Sequence, residues 1–187
     1  KVAVKFGRFL PSTDRSNLSG PFFLNAWQFP WVQYTNGYYD VLQGRDDGVA
    51  LYGERGDDVQ VKWSLGLFEG YDTAGVGGDD NLWMVARVVM NFLDPEEGYF
   101  NQSTYYGEKD IAAIGFTFSN QDDAHGGGMD YTAWSMDALL ETTLDGGGVA
   151  TLEAAYYDRD HDDSIVGLGK QGEGYFVLGS YLLADSV

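Results

Sequence analysis

Apolar and polar residues alternate along short stretches of this chain. Between positions 59 and 67 every odd residue is apolar and nearly every even residue is polar or small. Successive side chains of a β-strand point to opposite faces, so this alternation predicts a strand with one apolar and one polar face. The same period of two recurs along the chain and identifies eight strands.

In most of these strands an apolar row is opposed by a row of polar or small residues. The apolar rows are Val2, Val4 and Phe6; Val49 and Leu51; Val59, Val61, Trp63, Leu65 and Leu67; Leu82, Met84, Ala86, Val88, Met90 and Phe92; Ala112, Ile114, Phe116 and Phe118; Trp134, Met136, Ala138 and Leu140; and Ala150, Leu152, Ala154 and Tyr156. Arg87 lies opposite the fourth row. In the eighth strand, residues 175–183, both parities are apolar, so its register stays open.

The length of the strands distinguishes a membrane protein from a soluble one. Each run has about 9–11 residues, which a tilted strand needs to cross a bilayer, whereas strands of soluble proteins have about 5–6. With lipid on the apolar side and water on the other, the pattern predicts a transmembrane antiparallel β-barrel. A soluble all-β domain is the alternative.

The connections between the strands alternate in length. Short turns are predicted at residues 56–58 and 145–148, and long connections at residues 9–45, 70–81, 120–128 and 158–172. Bacterial outer-membrane barrels have short periplasmic turns and long external loops. The link at residues 93–110 breaks this alternation, and we expect an extended hairpin or a periplasmic flap there.

Composition agrees with this fold class and excludes several others. The chain has no cysteine, so disulfide frameworks and Cys-ligated metal sites are excluded. Its longest apolar run, residues 82–93, is shorter than the roughly 20 residues of a membrane helix and contains Arg87 and Asn91. Aromatic residues make up 16% of the chain, as is typical of aromatic-rich β proteins.

The net charge of −18 is unevenly distributed. Residues 1–62 contain seven basic and seven acidic residues, and the remainder contains four basic and 22 acidic ones. Nucleic-acid binding through phosphate neutralisation is therefore not expected. We interpret the acidic loops as solvated surface; the alternative is a divalent-cation site at Asp160, Asp162 and Asp163, although no EF-hand spacing accompanies them.

Two motifs point to a family. Residues 1–11 read KVAVKFGRFLP, and residues 44–53 read GRDDGVALYG. This pair resembles the O/P-type phosphate-selective porins of bacterial outer membranes, and residues 66–70 and 86–91 are similar to theirs. The resemblance implies a sixteen-stranded homotrimeric porin in the bacterial outer membrane. Residues 1–187 would then be a single β-barrel segment, the central half of that barrel.

The connection at residues 10–45 is expected to have a function, because long loops without secondary structure are uncommon in compact folds. It is too apolar for free disorder. The resemblance implies that it folds into the barrel and constricts the pore, and the alternative is an external loop at a trimer contact. A short helical turn is predicted over residues 25–29, before Pro30.

The candidate pore residues are basic. They are Lys5, Lys62 and Arg87, on the polar parity of their strands, and Arg8, Arg15 and Arg45, which flank the long loop. Rings of Lys and Arg favour anions in a pore, so these six are the predicted pore-lining and anion-binding residues. Beyond position 87 the chain supplies few further basic residues, which limits the expected anion preference.

Enzymatic activity is not predicted. His125 and His161 lie in loops without a nucleophile motif or metal-ligand spacing. Asp137 and Glu141 share one strand face and could serve as paired catalytic carboxylates, but pore-facing polar residues explain them better. No cofactor is expected.

The predicted function is that of an outer-membrane porin for passive diffusion of small hydrophilic solutes, general or weakly preferring anions or phosphate. The expected partners are membrane lipid, the solutes and further copies in a homotrimer. Two alternatives stay open. One is a barrel that sheathes or anchors a partner protein, and the other is a soluble β-sandwich that binds carbohydrate.

Overall fold

The computed structural model describes residues 1–34, 44–71, 81–124, 128–161 and 172–183. These residues form eight β-strands and two short helices. The strands are β1 (Val2–Phe9), β2 (Asp46–Arg55), β3 (Gln60–Phe68), β4 (Trp83–Asn91), β5 (Ile111–Gln121), β6 (Tyr131–Thr143), β7 (Val149–His161) and β8 (Gly172–Leu182), and the helices are α1 (Arg15–Ser19) and α2 (Trp31–Tyr34). The all-β prediction is confirmed.

All eight strands belong to one antiparallel sheet, and their order in the sheet is their order in the sequence. The longest pairing joins β6 to β7, from Tyr131 opposite His161 to Thr143 opposite Val149. β1 and β8 are the two edges and, in the described part of the chain, do not pair with each other. The sheet is therefore open, and the closed barrel expected from the alternation is not formed by these strands.

The sheet has an outer and an inner face, because directly opposite residues of an antiparallel pair point to the same side. The inner face carries the polar parity of the predicted strands, including buried Lys62, Arg87 and Asp137. The outer face carries exposed apolar side chains from every strand. They are Val2, Val4, Phe6, Val49, Leu51, Leu65, Leu67, Met84, Val88, Met90, Ile114, Phe116, Phe118, Met136, Leu140, Leu152, Tyr175, Val177 and Tyr181.

The pairing of β8 fixes the register that the sequence left open. Tyr175 lies opposite Tyr156 and belongs to the outer face. Phe176 lies opposite Ala155 on the inner face, where its ring stacks on Tyr157 at a centroid distance of 6.5 Å. β8 is thus apolar on both faces because its inner side also packs against aromatic neighbours.

The irregular link between β4 and β5 is ordered by hydrogen bonds. Its ladder continues past the strand ends, since Phe92 N–H donates to the Ala112 carbonyl at 2.8 Å and Asp94 N–H donates to the Asp110 carbonyl at 2.9 Å. The residues between them then turn across the inner face. The tight turn before β7 is confirmed by a 2.7 Å bond from Leu144 N–H to the Gly148 carbonyl.

The helical turn expected over residues 25–29 is wrong. The helices lie on either side of it, in α1 and in α2, which begins directly after Pro30. A residue before proline is disfavoured in helical conformation, whereas proline suits a helix start, so Pro30 favours the helix after it. Among the described residues no helix has the length and apolar character needed to span a membrane.

Candidate functional site

Two segments cover the inner face and bury its charged residues. The N-terminal strap is residues 10–19, which include α1, and all of them are buried. The central strap is residues 94–110, between β4 and β5. Side chains of the sheet hold the N-terminal strap: Ser64 Oγ of β3 lies 2.7 Å from Ser12 Oγ, and Ser135 Oγ of β6 donates to the Thr13 carbonyl at 2.8 Å.

Arg15 connects the two straps to each other and to the sheet. Its guanidinium donates to both carboxylate oxygens of Glu96, at 2.7 and 2.9 Å, and to the Gln102 carbonyl at 2.6 Å. Its backbone N–H donates to Asp137 Oδ2 at 3.3 Å. The side chains of Arg15 and Glu96 are both completely buried, so the pair is shielded from solvent screening.

A second buried ion pair lies in the sheet itself. Arg87 of β4 donates to both oxygens of Asp137 of β6, at 2.6 and 2.9 Å, and to Thr117 Oγ1 of β5 at 3.0 Å. The pair crosses β5 above Gly115. A Cβ at Gly115 would lie 2.5 Å from Arg87 Nη2 and 2.7 Å from Asp137 Oδ1, so any larger residue here would displace the ion pair.

Two glutamates of the inner face hold the straps in place. Glu153 Oε1 accepts hydrogen bonds from Ser103 of the central strap at 2.8 Å and from Ser16 of the N-terminal strap at 3.3 Å. Glu141 Oε1 accepts the backbone N–H groups of Tyr105 and Gly107 at 2.9 and 3.1 Å. Both carboxylates thus bind groups of the straps.

At one end of the inner face, where β3 ends and β4 begins, the packed side chains are aromatic rather than polar. The Phe9 ring lies 5.2 Å from the Phe68 ring and 5.6 Å from the Tyr99 ring, and Phe68 lies 5.8 Å from Trp83. Tyr99 OH also donates to the Leu10 carbonyl at 2.9 Å. Apolar packing therefore fixes the first residues of the N-terminal strap, while ion pairs fix its helix.

The six predicted pore residues fall into different environments. Arg15 and Arg87 are brought together around Asp137, and Lys62 lies on the same face, where its Nζ donates to the Phe100 carbonyl at 2.8 Å. Lys5 Nζ lies 4.9 Å from the centroid of the Phe100 ring. Of the other two, Arg8 is exposed and donates to Asp47 Oδ1 at 3.0 Å, and Arg45 is half-buried.

Burial and ion pairing change the titration of the straps. Burial raises the pKa of Asp14 to about 7. The Asn17 N–H, which donates to Asp14 Oδ1 at 2.6 Å, lowers this pKa but by less than burial raises it. Burial alone would also raise the pKa of Glu96, but the Arg15 guanidinium outweighs it and holds this pKa at about 2. The Glu96 carboxylate stays ionised in the folded protein, whereas Asp14 takes up a proton near neutral pH.

The carboxylates considered for catalysis are engaged in structural contacts. Asp137 is bound by two arginines, and Glu141 accepts from backbone groups and from Thr151 Oγ1 at 3.0 Å. No group of three or more metal-ligating side chains occurs among the described residues. The cation site considered at residues 160–163 includes Asp162 and Asp163, which lie outside the described residues, as does His125.

Sequence reasoning missed the partners of the basic residues. The expectation that acidic loop residues are solvated is wrong for Glu96, which is buried, although its neighbour Glu97 is exposed. Nothing local distinguishes these two neighbours. Glu153 could have been predicted as an inner-face residue, because on its strand it lies opposite an apolar row.

No family model, curated protein or solved structure matched the chain. The resemblance to O/P-type porins therefore stays a prediction that rests on the motifs at residues 1–11 and 44–53.

Proposed function

We propose that this chain forms a porin wall in the bacterial outer membrane, through which small hydrophilic solutes diffuse passively. The observation that carries the proposal is the outer face, where large apolar side chains are exposed on all eight strands. A soluble antiparallel sheet normally has polar residues on its open face, and contiguous apolar patches of more than a few hundred Å² mark an interface or a membrane.

The inner face supports the second part of the proposal, the passage of hydrophilic solutes along this side of the sheet. Charged side chains are tolerated inside a membrane barrel when they face a lumen or pair with one another. Arg87 and Asp137 pair with each other here, on strands whose opposite face is apolar. Glu141, on the same face, accepts hydrogen bonds from backbone groups of the central strap. In the proposed porin the two straps lie along the lumen side of the wall and narrow the passage.

The balance of buried charges supports general diffusion better than it supports strong anion selectivity. Among the described residues, the buried charged side chains comprise four basic and six acidic ones, namely Arg15, Lys62, Arg87 and Arg159, and Asp14, Asp46, Glu96, Asp137, Glu141 and Glu153. Ion pairs weaken the field of Arg15 and Arg87 at a distance, because the opposite charges partly cancel. Anion or phosphate preference, and the homotrimer, rest on the resemblance alone.

Reconstitution tests the proposal against both alternatives. The full chain is folded into phospholipid vesicles and then examined in a planar bilayer under a salt gradient. We expect folding to require lipid or detergent and single-channel currents to appear. Folding in plain buffer would favour the soluble carbohydrate-binding domain, and membrane insertion without conductance would favour the sheath.

A further inference from the structure

A small pocket lies between the inner face and the straps, where several hydrogen-bond donors converge. Its volume is about 10 Å³, which is room for one particle of about the size of a water molecule. Lys62, Ser64 and Arg87 line it from the sheet, and Asn101 lines it from the central strap. Leu18 and Val89 add apolar surface.

The charges around this pocket are unusual for so acidic a chain. Two of its lining side chains are cationic, and none of the described side chains that line it is acidic. Asp137 compensates Arg87 from the side of its two terminal nitrogens. Lys62, however, forms no ion pair among the described residues and donates only to the Phe100 carbonyl, although it is 95% buried.

Two further donors lack a partner. Arg87 Nε and Asn101 Nδ2 are buried without a hydrogen-bond acceptor in the described part of the protein. A buried donor without a partner costs about 1–3 kcal/mol, and more if it is charged. Lys62, Arg87 and Asn101 therefore supply spare N–H groups where only an acceptor of small size fits.

We propose that this pocket binds a single halide-sized anion, which is chloride in ordinary salt solutions. Chloride accepts hydrogen bonds from N–H groups such as these, and its negative charge offsets the buried charge of Lys62. Space for one water-sized particle suits a monatomic anion better than phosphate, which carries four oxygens around its phosphorus. The inference does not depend on solute transport, since it concerns an ion that holds Lys62 and the central strap together.

The first test is the effect of salt on unfolding of the full chain in phospholipid vesicles. Above the dissociation constant of the site, we expect a tenfold rise in chloride to raise the folding equilibrium constant about tenfold, because the ion binds only the folded state. Lys62→Met should abolish this dependence. Lys109→Met is the matched control, since Lys109 Nζ also donates to one backbone carbonyl, that of Pro95 at 2.6 Å, but Lys109 is only partly buried and does not line the pocket.

Phosphate at matched ionic strength separates site binding from general salt effects. It stabilises many proteins by exclusion from their surface, so wild type and Lys62→Met are compared within each salt. We expect them to differ in their response to chloride but to respond equally to phosphate. Equal responses to chloride, or a larger difference in phosphate, would overturn the proposal.

A second measurement needs no variant. Crystals of the wild-type chain soaked in bromide should show one anomalous peak between Lys62 and Asn101. Absence of a peak there, with bromide ordered elsewhere, would mean that a water molecule or an uncharged Lys62 amine fills the pocket, and the anion site would be rejected.

Discussion

Loss of Glu96 should destabilise the protein strongly, because among the described carboxylates it alone forms a bidentate pair with the buried Arg15 guanidinium. Removing one partner of a buried pair leaves an uncompensated charge and costs about 3–5 kcal/mol. We therefore expect Glu96→Gln to lower the free energy of unfolding by that amount, measured by urea titration in phospholipid vesicles.

The neighbouring residue provides the control for this prediction. Glu97 is exposed, so Glu97→Gln should change the free energy of unfolding by less than about 0.5 kcal/mol. If the two variants were equally stable, the Arg15–Glu96 pair would not be a buried contact of the folded protein.

Asp14 should make stability fall as pH rises. Its pKa is about 7 in the folded protein, and the ordinary value for Asp is about 4. Between these values the folded state holds a proton that the unfolded state has released, so the free energy of unfolding decreases with increasing pH. The groups that act on the Asp14 carboxylate include Asp137, Glu153 and Arg87.

Asp14→Asn tests this dependence without removing the helix cap, because asparagine caps α1 as well as aspartate does. Between about pH 5 and about pH 8 we expect the variant to lose less stability than the wild type. Urea titrations at the two pH values measure the difference. The same loss in both proteins would place the titrating group elsewhere.

Single strands were predictable because their signal is local. The period of two assigned Lys62, Arg87 and Asp137 to the face opposite the apolar rows, where the structure places them. The straps were not predictable in this way. Arg15 and Glu96 are 81 positions apart, and their contact depends on how the connections turn back over the sheet.

At the scale of the strand, the outer face of β3 tests whether the apolar rows contact lipid. Leu65 lies near the middle of the strand and is 55% exposed. Arginine at the midplane of a bilayer costs about 2–4 kcal/mol, but only about 0–1 near the interface. We expect Leu65→Arg to destabilise the vesicle-folded protein by the larger amount, as measured by urea titration.

Val59→Arg is the matched control, because Val59 precedes the first residue of β3 and its side chain is also exposed. We expect this change to cost no more than about 1 kcal/mol. If both variants stayed within about 0.5 kcal/mol of the wild type, the row would face water, as expected for an exposed surface position.

At the scale of the whole molecule, the straps and the sheet form one hydrogen-bonded unit. Arg15 binds Glu96 and Asp137, while Glu153 accepts from both straps. Release of the straps would break several hydrogen bonds to charged groups at once, each with a net contribution of about 1.5–3 kcal/mol. In the proposed porin we therefore expect the straps to stay on the inner face while solutes pass, rather than to act as a gate.

A disulfide between the N-terminal strap and β3 tests this expectation. The chain has no native cysteine, and Ser12 Oγ lies 2.7 Å from Ser64 Oγ, so Ser12→Cys with Ser64→Cys places two thiols in contact. We expect the oxidised and reduced double variant to have the same single-channel conductance in a planar bilayer, with each single variant as control. If oxidation reduced the conductance and a reductant restored it, the strap would have to leave the sheet for solutes to pass, and its role would be that of a gate.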